Sequence, residues 1–179
     1  GDLLTDADQL TAFHGGRAML RLGLSRVGPW TEAEIDAHYP TLLSAYKADI
    51  DSRTRLYPGA VSAVETLRTK GFAVSICTNK PEGLAETLMQ RLGVRRLFGA
   101  LVGADTLPVR KPNAAPYVAA VQRSGGAVAQ SLLVGDTVTD RETAWRVATT
   151  LERLGAVAYM QAFVRHPGWD LRVFTLGGR

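Results

Sequence analysis

A single cysteine, Cys77, stands among the 179 residues, so no internal disulfide framework is possible, and the chain is expected to fold on its core alone in a reducing compartment such as the cytoplasm. No apolar run approaches the ~20 residues that cross a bilayer. Gly1-Asp2 opens the sequence without the basic-then-apolar pattern of a secretory signal. Neither a membrane span nor a membrane partner is expected. The histidines, His14, His38 and His166, are scattered without metal-ligand spacing and read as structural or surface residues. Aromatic residues make up only 7% of the chain, and no stripe of clustered Lys/Arg with interleaved aromatics accompanies the net charge of +4. Much of that charge lies late. From Trp145 onward five arginines face only Glu152 and Asp170, whereas the preceding residues carry sixteen basic and fifteen acidic groups. A nucleic-acid partner is therefore not expected. What is present is a 46% hydrophobic composition, ordinary for one medium domain or one domain with a small appendage.

The pattern of apolar residues changes character along the chain. Segments 5–13, 14–27 and 31–50 carry apolar residues at three- and four-residue spacing, which predicts helices. Thr31 and Glu34 have the spacing of a capping box. Pro40 should kink or restart the third helix. After Tyr57-Pro58-Gly59 strands and helices alternate: a helix over 59–70, a buried strand over 72–77, a helix over 81–92 with Pro81 in its first turn, a short strand over 100–103, a helix over 112–123, a strand over 131–134 and a helix over 139–154. Such alternation predicts an α/β fold, a doubly wound parallel sheet covered by helices on both faces in three layers. There is no internal repeat and no low-complexity tract.

Three strand ends in the alternating half carry polar groups of complementary kind. Leu133-Val134-Gly135-Asp136-Thr137-Val138-Thr139-Asp140 delivers two carboxylates, four residues apart, into a turn at a strand's carboxyl edge, where open parallel sheets place their ligands. Asp136 and Asp140 suit Mg²⁺, which takes one or two protein carboxylates beside water and substrate phosphate; either acid alone reads equally well as a helix cap. After Cys77, Thr78-Asn79-Lys80-Pro81 places a hydroxyl and an amide at a helix N-terminus, whose free N–H groups favour an anion; here too a Thr or Asn cap is the plainer alternative. Arg110-Lys111-Pro112 puts a cation just before a helix, with Pro112 at or near its first position, and a surface lysine would explain Lys111 as well. Taken together, a phosphate-binding Thr78 and Asn79, a Lys111 and the metal-binding pair Asp136 and Asp140 describe a phosphoryl-transfer site.

These residues resemble the haloacid dehalogenase superfamily, in particular its phosphoglycolate phosphatase-like branch. The resemblance runs through Tyr57-Pro58-Gly59, residues 77–81, residues 103–112 and residues 135–140, in order and with matching spacing. It implies that Thr78, with the following backbone amide, binds the transferring phosphoryl group, and that Lys111 neutralises the phosphoryl oxygens and the nucleophile. It further implies that Asp136 binds Mg²⁺ directly while Asp140 supports the metal site. A small phosphorylated metabolite such as phosphoglycolate would be the substrate. The N-terminal residues 1–56 would be the remainder of a helical cap, and 57–179 the α/β core with a divergent tail from about residue 145.

Two departures qualify the resemblance. The family's chemistry needs an aspartate nucleophile and a second aspartate two residues on, in Asp-x-Asp-Gly-Thr after the first strand. This sequence contains no Asp-Gly dipeptide, and Asp6-Ala7-Asp8 and Asp49-Ile50-Asp51 lack both the preceding strand and the following Gly-Thr. Without that nucleophile no aspartyl-phosphate forms on these residues. The missing first strand belongs between those ending at Cys77 and Val134. Its absence should leave a gap or force those two to pair directly, exposing strand edges and apolar surface. Beyond Ala144 the helix is longer than the family pattern, and 156–160 are expected to form a final strand. The expectation is of a copy truncated at the front, active or retained as a phosphate- and metal-binding module. A substrate-binding role for Arg17, beside Gly15-Gly16, is weighed against that of a surface arginine.

Overall fold

The computed structural model describes Thr5, Asp8, Thr11, residues 14–135 and 137–150, and, as backbone, residues 151–153, 159–160, 164–166 and 169–175. Asp136, most of the predicted first helix over 5–13, and residues 156–158 of the predicted final strand lie outside the described residues. Two compact units are present, Gly1–Thr54 and Arg55–Arg179.

In the first unit, α1 (Gly16–Ser25) packs against α2 (Glu32–Ala48). The capping box forms: the Thr31 side chain accepts from the Glu34 amide, and the Glu34 carboxylate accepts from the Thr31 amide at 2.7 Å. Two of the four orphan donors at the start of α2 are thereby satisfied. Pro40 does not restart the helix, which runs through it to Ala48. One lost N–H bond is tolerated where both flanking turns are fixed, the first by the cap and the second by Leu42, which lies against Gly16 of α1. Among the described residues of this unit, Ile35 and Ile50 are buried. Arg17 pairs with Asp36 and stacks 5.3 Å from the Tyr39 ring centroid, so its guanidinium serves the hairpin's own ion pairs.

The second unit carries α3 (Ala60–Thr69), β1 (Ser75–Cys77), α4 (Glu82–Arg91), β2 (Ala100–Val102), α5 (Ala115–Arg123), β3 (Leu132–Gly135), α6 (Val138–Arg153), β4 (Tyr159–Met160), β5 (Val164–His166) and β6 (Trp169–Thr175). β1 and β2 are parallel, with Ser75 opposite Ala100 and Cys77 opposite Val102, and β2 is wholly buried, as a parallel strand covered on both faces should be. α5 packs on β1 and β2, and α4 on β2. Tyr117 and Val121 of α5, Leu133 of β3, and Ala144 and Val147 of α6 form a buried cluster against which Cys77 packs. Among the described residues no helix is long and apolar enough to cross a membrane.

Among the described residues β3 does not join the parallel pair of β1 and β2. β3 pairs antiparallel with β6, Leu132 opposite Thr175 and Gly135 opposite Arg172, and β4 and β5 also pair with β6. Of the two outcomes expected for a missing first strand, the described residues show the gap: β1 pairs with β2 alone. A strand edge left with unpaired N–H and C=O groups recruits any chain that can complete its ladder, and β6 does this for β3. Without a second neighbour the predicted strand over 72–77 shortens to Ser75–Cys77, and Phe72 is exposed. Leu132 and Val134 are exposed beside the buried Leu133, and α3 has no buried residue. The helix expected from Pro112 begins instead at Ala115, whose amide is taken by the Asn113 side chain at 2.9 Å. Pro112 follows Lys111 through a cis peptide, and Pro116 sits in the first turn.

Candidate active site

The carboxyl end of β1 presents Thr78 and Asn79. The Thr78 amide still belongs to the ladder, donating to Val102 O at 2.9 Å, and its hydroxyl accepts from the Lys80 amide at 3.1 Å. Neither residue caps the next helix: Pro81 is the N-cap of α4 and makes no side-chain cap bond. The Asn79 side chain donates to the carbonyl of Lys111 at 2.9 Å. That amide therefore ties the first site loop to the second, a role its sequence position did not reveal.

Lys111 is not a surface lysine. It is 8% exposed, and its ammonium donates to Cys77 O at 2.8 Å and to Asp140 Oδ1 at 2.5 Å. Asp140, 5% exposed, uses its other oxygen at the start of α6: Oδ2 accepts from the Thr137 amide at 3.1 Å and hydroxyl at 2.6 Å, while Thr137 Oγ1 accepts from the Asp140 amide at 3.3 Å. The cap reading of this acid holds, and the same carboxylate anchors the lysine. Burial pushes the Asp140 carboxyl up, but the hydrogen bonds from Lys111 and Thr137 and the nearby ammonium outweigh it and hold the group below its ordinary value. Gly135 makes the approach possible. A Cβ there would lie 2.4 Å from Asp140 Cβ and 2.5 Å from its Cγ.

Cys77 is the residue between these groups. Burial pushes its thiol up to about 11, with Lys111 opposing and Asp140 reinforcing the shift. A thiol so protonated at neutral pH is not a nucleophile.

A second set of contacts binds the loop after β2 to the start of α4. Asp105 Oδ1 accepts from the Glu82 amide at 2.7 Å, Ala104 N donates to Lys80 O at 3.0 Å, and Thr106 Oγ1 accepts from Gly103 N at 2.7 Å while donating to the Glu82 carboxylate. The anion expected at this helix N-terminus is thus, at the Glu82 amide, an internal carboxylate. Asp105 and Thr106 escaped the sequence reading because their partner lies more than twenty residues away; the only local signal is Gly103 ahead of two short polar side chains.

The donor set bears on the metal expected from the sequence. Among the described residues no three His, Cys, Asp or Glu side chains cluster as a metal site. Asp140 is a hard oxygen donor of the right chemistry for Mg²⁺, yet both of its oxygens already accept hydrogen bonds. It fits as a carboxylate behind the metal rather than as an open ligand. Asp136, which would have to be that ligand, lies outside the described residues.

An α/β unit with a hydroxyl, a buried lysine and an acid at successive strand ends belongs to the class of phosphoryl-transfer folds. The model of the haloacid dehalogenase-like hydrolase family matches residues 5–146, and the chain belongs to that family. Among curated relatives, the phosphoglycolate phosphatase of Agrobacterium fabrum is 35% identical over 127 residues, 70% of this chain and 54% of that protein. That of Rhodospirillum rubrum is 37% identical over 128 residues, 72% and 53% of the two chains. The chain spans about half the length of the curated relatives it matches. Among solved structures, a candidate phosphoglycolate phosphatase of Lactobacillus plantarum superposes with a TM-score of 0.62 at 24% identity, covering 80% of this chain and 67% of its own. The shared fold is the HAD-like α/β fold with its parallel strands and flanking helices.

Proposed function

We propose that the protein is a phosphoric monoester hydrolase acting on a small phosphorylated metabolite of the phosphoglycolate kind, in the cytoplasm. The observation that carries this reading is the buried Lys111 ammonium, fixed at the end of β1 beside Thr78 by Cys77 O and Asp140. A cation held there offers charge to phosphoryl oxygens without reorganising when they arrive. In this reading Thr78 donates its hydroxyl to the phosphoryl group, with the Asn79 amide beside it, and Asp140 holds Lys111 in place. Mg²⁺, bound by Asp136 with Asp140 behind it, would supply further positive charge to the phosphate. Residues 1–56 would form part of a cap that selects the leaving group.

The second reading is a non-catalytic phosphate- and metal-binding module, favoured by the absence of any Asp-Gly dipeptide from the 179 residues. For aspartyl-phosphate chemistry the nucleophile has to come from elsewhere. Hydrolysis of p-nitrophenyl phosphate with and without Mg²⁺, beside the Asp136→Asn variant, separates the two. Mg²⁺-dependent turnover abolished by that substitution is the expected result for the hydrolase. Absence of turnover with tungstate binding retained, and lost in Thr78→Val, would favour the module.

A further inference from the structure

We propose that Asp105 is a positioning residue for the phosphate-binding loop, acting as a remote N-cap of α4 that holds Thr78 and Asn79 in one geometry. The proposal rests on the phosphate-binding reading of that loop. The first N–H groups of a helix need acceptors from outside it, and Pro81 at the N-cap has no side-chain acceptor to offer. Asp105 supplies one across 23 residues, at 2.7 Å from the Glu82 amide, where a carboxylate also meets the positive end of the helix dipole.

The other contacts make this a clasp rather than a single bond. Ala104 N holds Lys80 O, and Thr106 bridges Gly103 N and the Glu82 carboxylate. Gly103 permits this close approach, because a Cβ there would lie 2.4 Å from Glu82 N and 2.5 Å from Glu82 Cα. Loop 78–81 is therefore fixed at both ends. Thr78 N is in the ladder with Val102 O, and Lys80 and Glu82 are in the clasp. A four-residue loop pinned this way presents a hydroxyl and a backbone amide to an anion without an ordering penalty on binding. Asp105 itself spends Oδ1 on the helix.

The test uses the 179-residue chain with tungstate as the phosphate analogue. Asp105→Ala should weaken tungstate binding about tenfold, the effect of a lost cap and a displaced binding loop. Asp105→Asn, which keeps an acceptor of equal capping strength, should bind within about twofold of the parent. A charge-based role would fail in both variants. Parent-like binding by Asp105→Ala, or an Asp105→Asn as weak as the alanine variant, would overturn the proposal. If Asp105→Ala does not fold, Thr106→Val, which leaves Asp105 in place, should show a smaller loss, and no loss there would also overturn it. Should the parent chain bind no tungstate, the phosphate reading itself fails. The clasp is then judged by amide exchange at Asn79 and Lys80: faster in Asp105→Ala than in Asp105→Asn supports it, and equal rates in the two sink it.

Discussion

The N-terminal helical unit and the α/β unit after it both use paired charges, with opposite physical consequences. In the hairpin, Arg21 meets both Glu32 oxygens at 2.8 Å and Arg17 meets Asp36, both at the surface. Water and salt compete with each of these pairs, so they trim the relative placement of α1 and α2 and add little to stability. In the α/β unit the Lys111 and Asp140 side chains are 9% and 7% exposed. Removing two charges from water is costly unless their remaining hydrogen-bonding capacity is met. Here Cys77 O takes a second of the ammonium's three protons, and Thr137 bonds the other carboxylate oxygen. The geometry of the buried pair is consequently over-determined, a condition that function demands and surface pairing does not.

Breaking the buried pair should have the largest effect. Lys111→Ala leaves the Asp140 carboxylate buried and unpaired and should destabilise the α/β unit by about 3–5 kcal/mol, read from urea unfolding. Lys111→Met combined with Asp140→Asn should recover part of that loss, because neither charge then remains. The same pair predicts a pH response. The folded Asp140 carboxyl lies below its ordinary value, so the unfolded chain binds the proton first. The resulting stability is complete above the unfolded carboxylate range near about pH 4 and is lost as pH falls through the folded value. The urea midpoint should decline on acidification through that window, and Asp140→Asn should flatten the decline.

Gly135→Ala comes next. Its Cβ would collide with Asp140, and overpacking of this kind costs about 1–3 kcal/mol; differential scanning calorimetry would show it, with weaker tungstate binding as Asp140 moves. In the hairpin, Thr31→Ala removes the capping hydroxyl and should cost about 1 kcal/mol, visible as faster amide exchange in the first turn of α2. Arg21→Ala should give the smallest shift in melting temperature, and added salt should shrink it further. An Arg21→Ala effect as large as that of Lys111→Ala would erase the distinction between the two units.

Several elements were readable before the structure, and for a common reason. The capping box at Thr31 and Glu34, α4 after Pro81 and the long α6 all rest on neighbours within about four residues. The failures are equally informative. Pro112 was placed at a helix start that the Asn113 side chain defers to Ala115. Pro40 does not restart the helix, which runs through it to Ala48. The gap left by the missing first strand was expected, but not that β3 would take an antiparallel partner from residues 169–175. In the candidate site the residue types at Thr78, Lys111 and Asp140 were evident from their places at strand ends, but the job of each side chain was not.

The sequence by itself determined which chemistry is available and in what order: a hydroxyl, a lysine and a pair of acids at successive βα turns, the family they belong to, and the absence of Asp-x-Asp-Gly-Thr from these 179 residues. Composition and local pattern are enough for that, since each turn is built from its own residues. Only the tertiary structure decided that Asp140 divides its two oxygens between a cap and Lys111, that Asn79 grips the Lys111 carbonyl, and that Asp105 closes the N-terminus of α4. Apart from the cap itself, those bonds join residues 23 to 32 positions apart. Their partners are chosen by the packing of strand ends against one another, which no local pattern encodes.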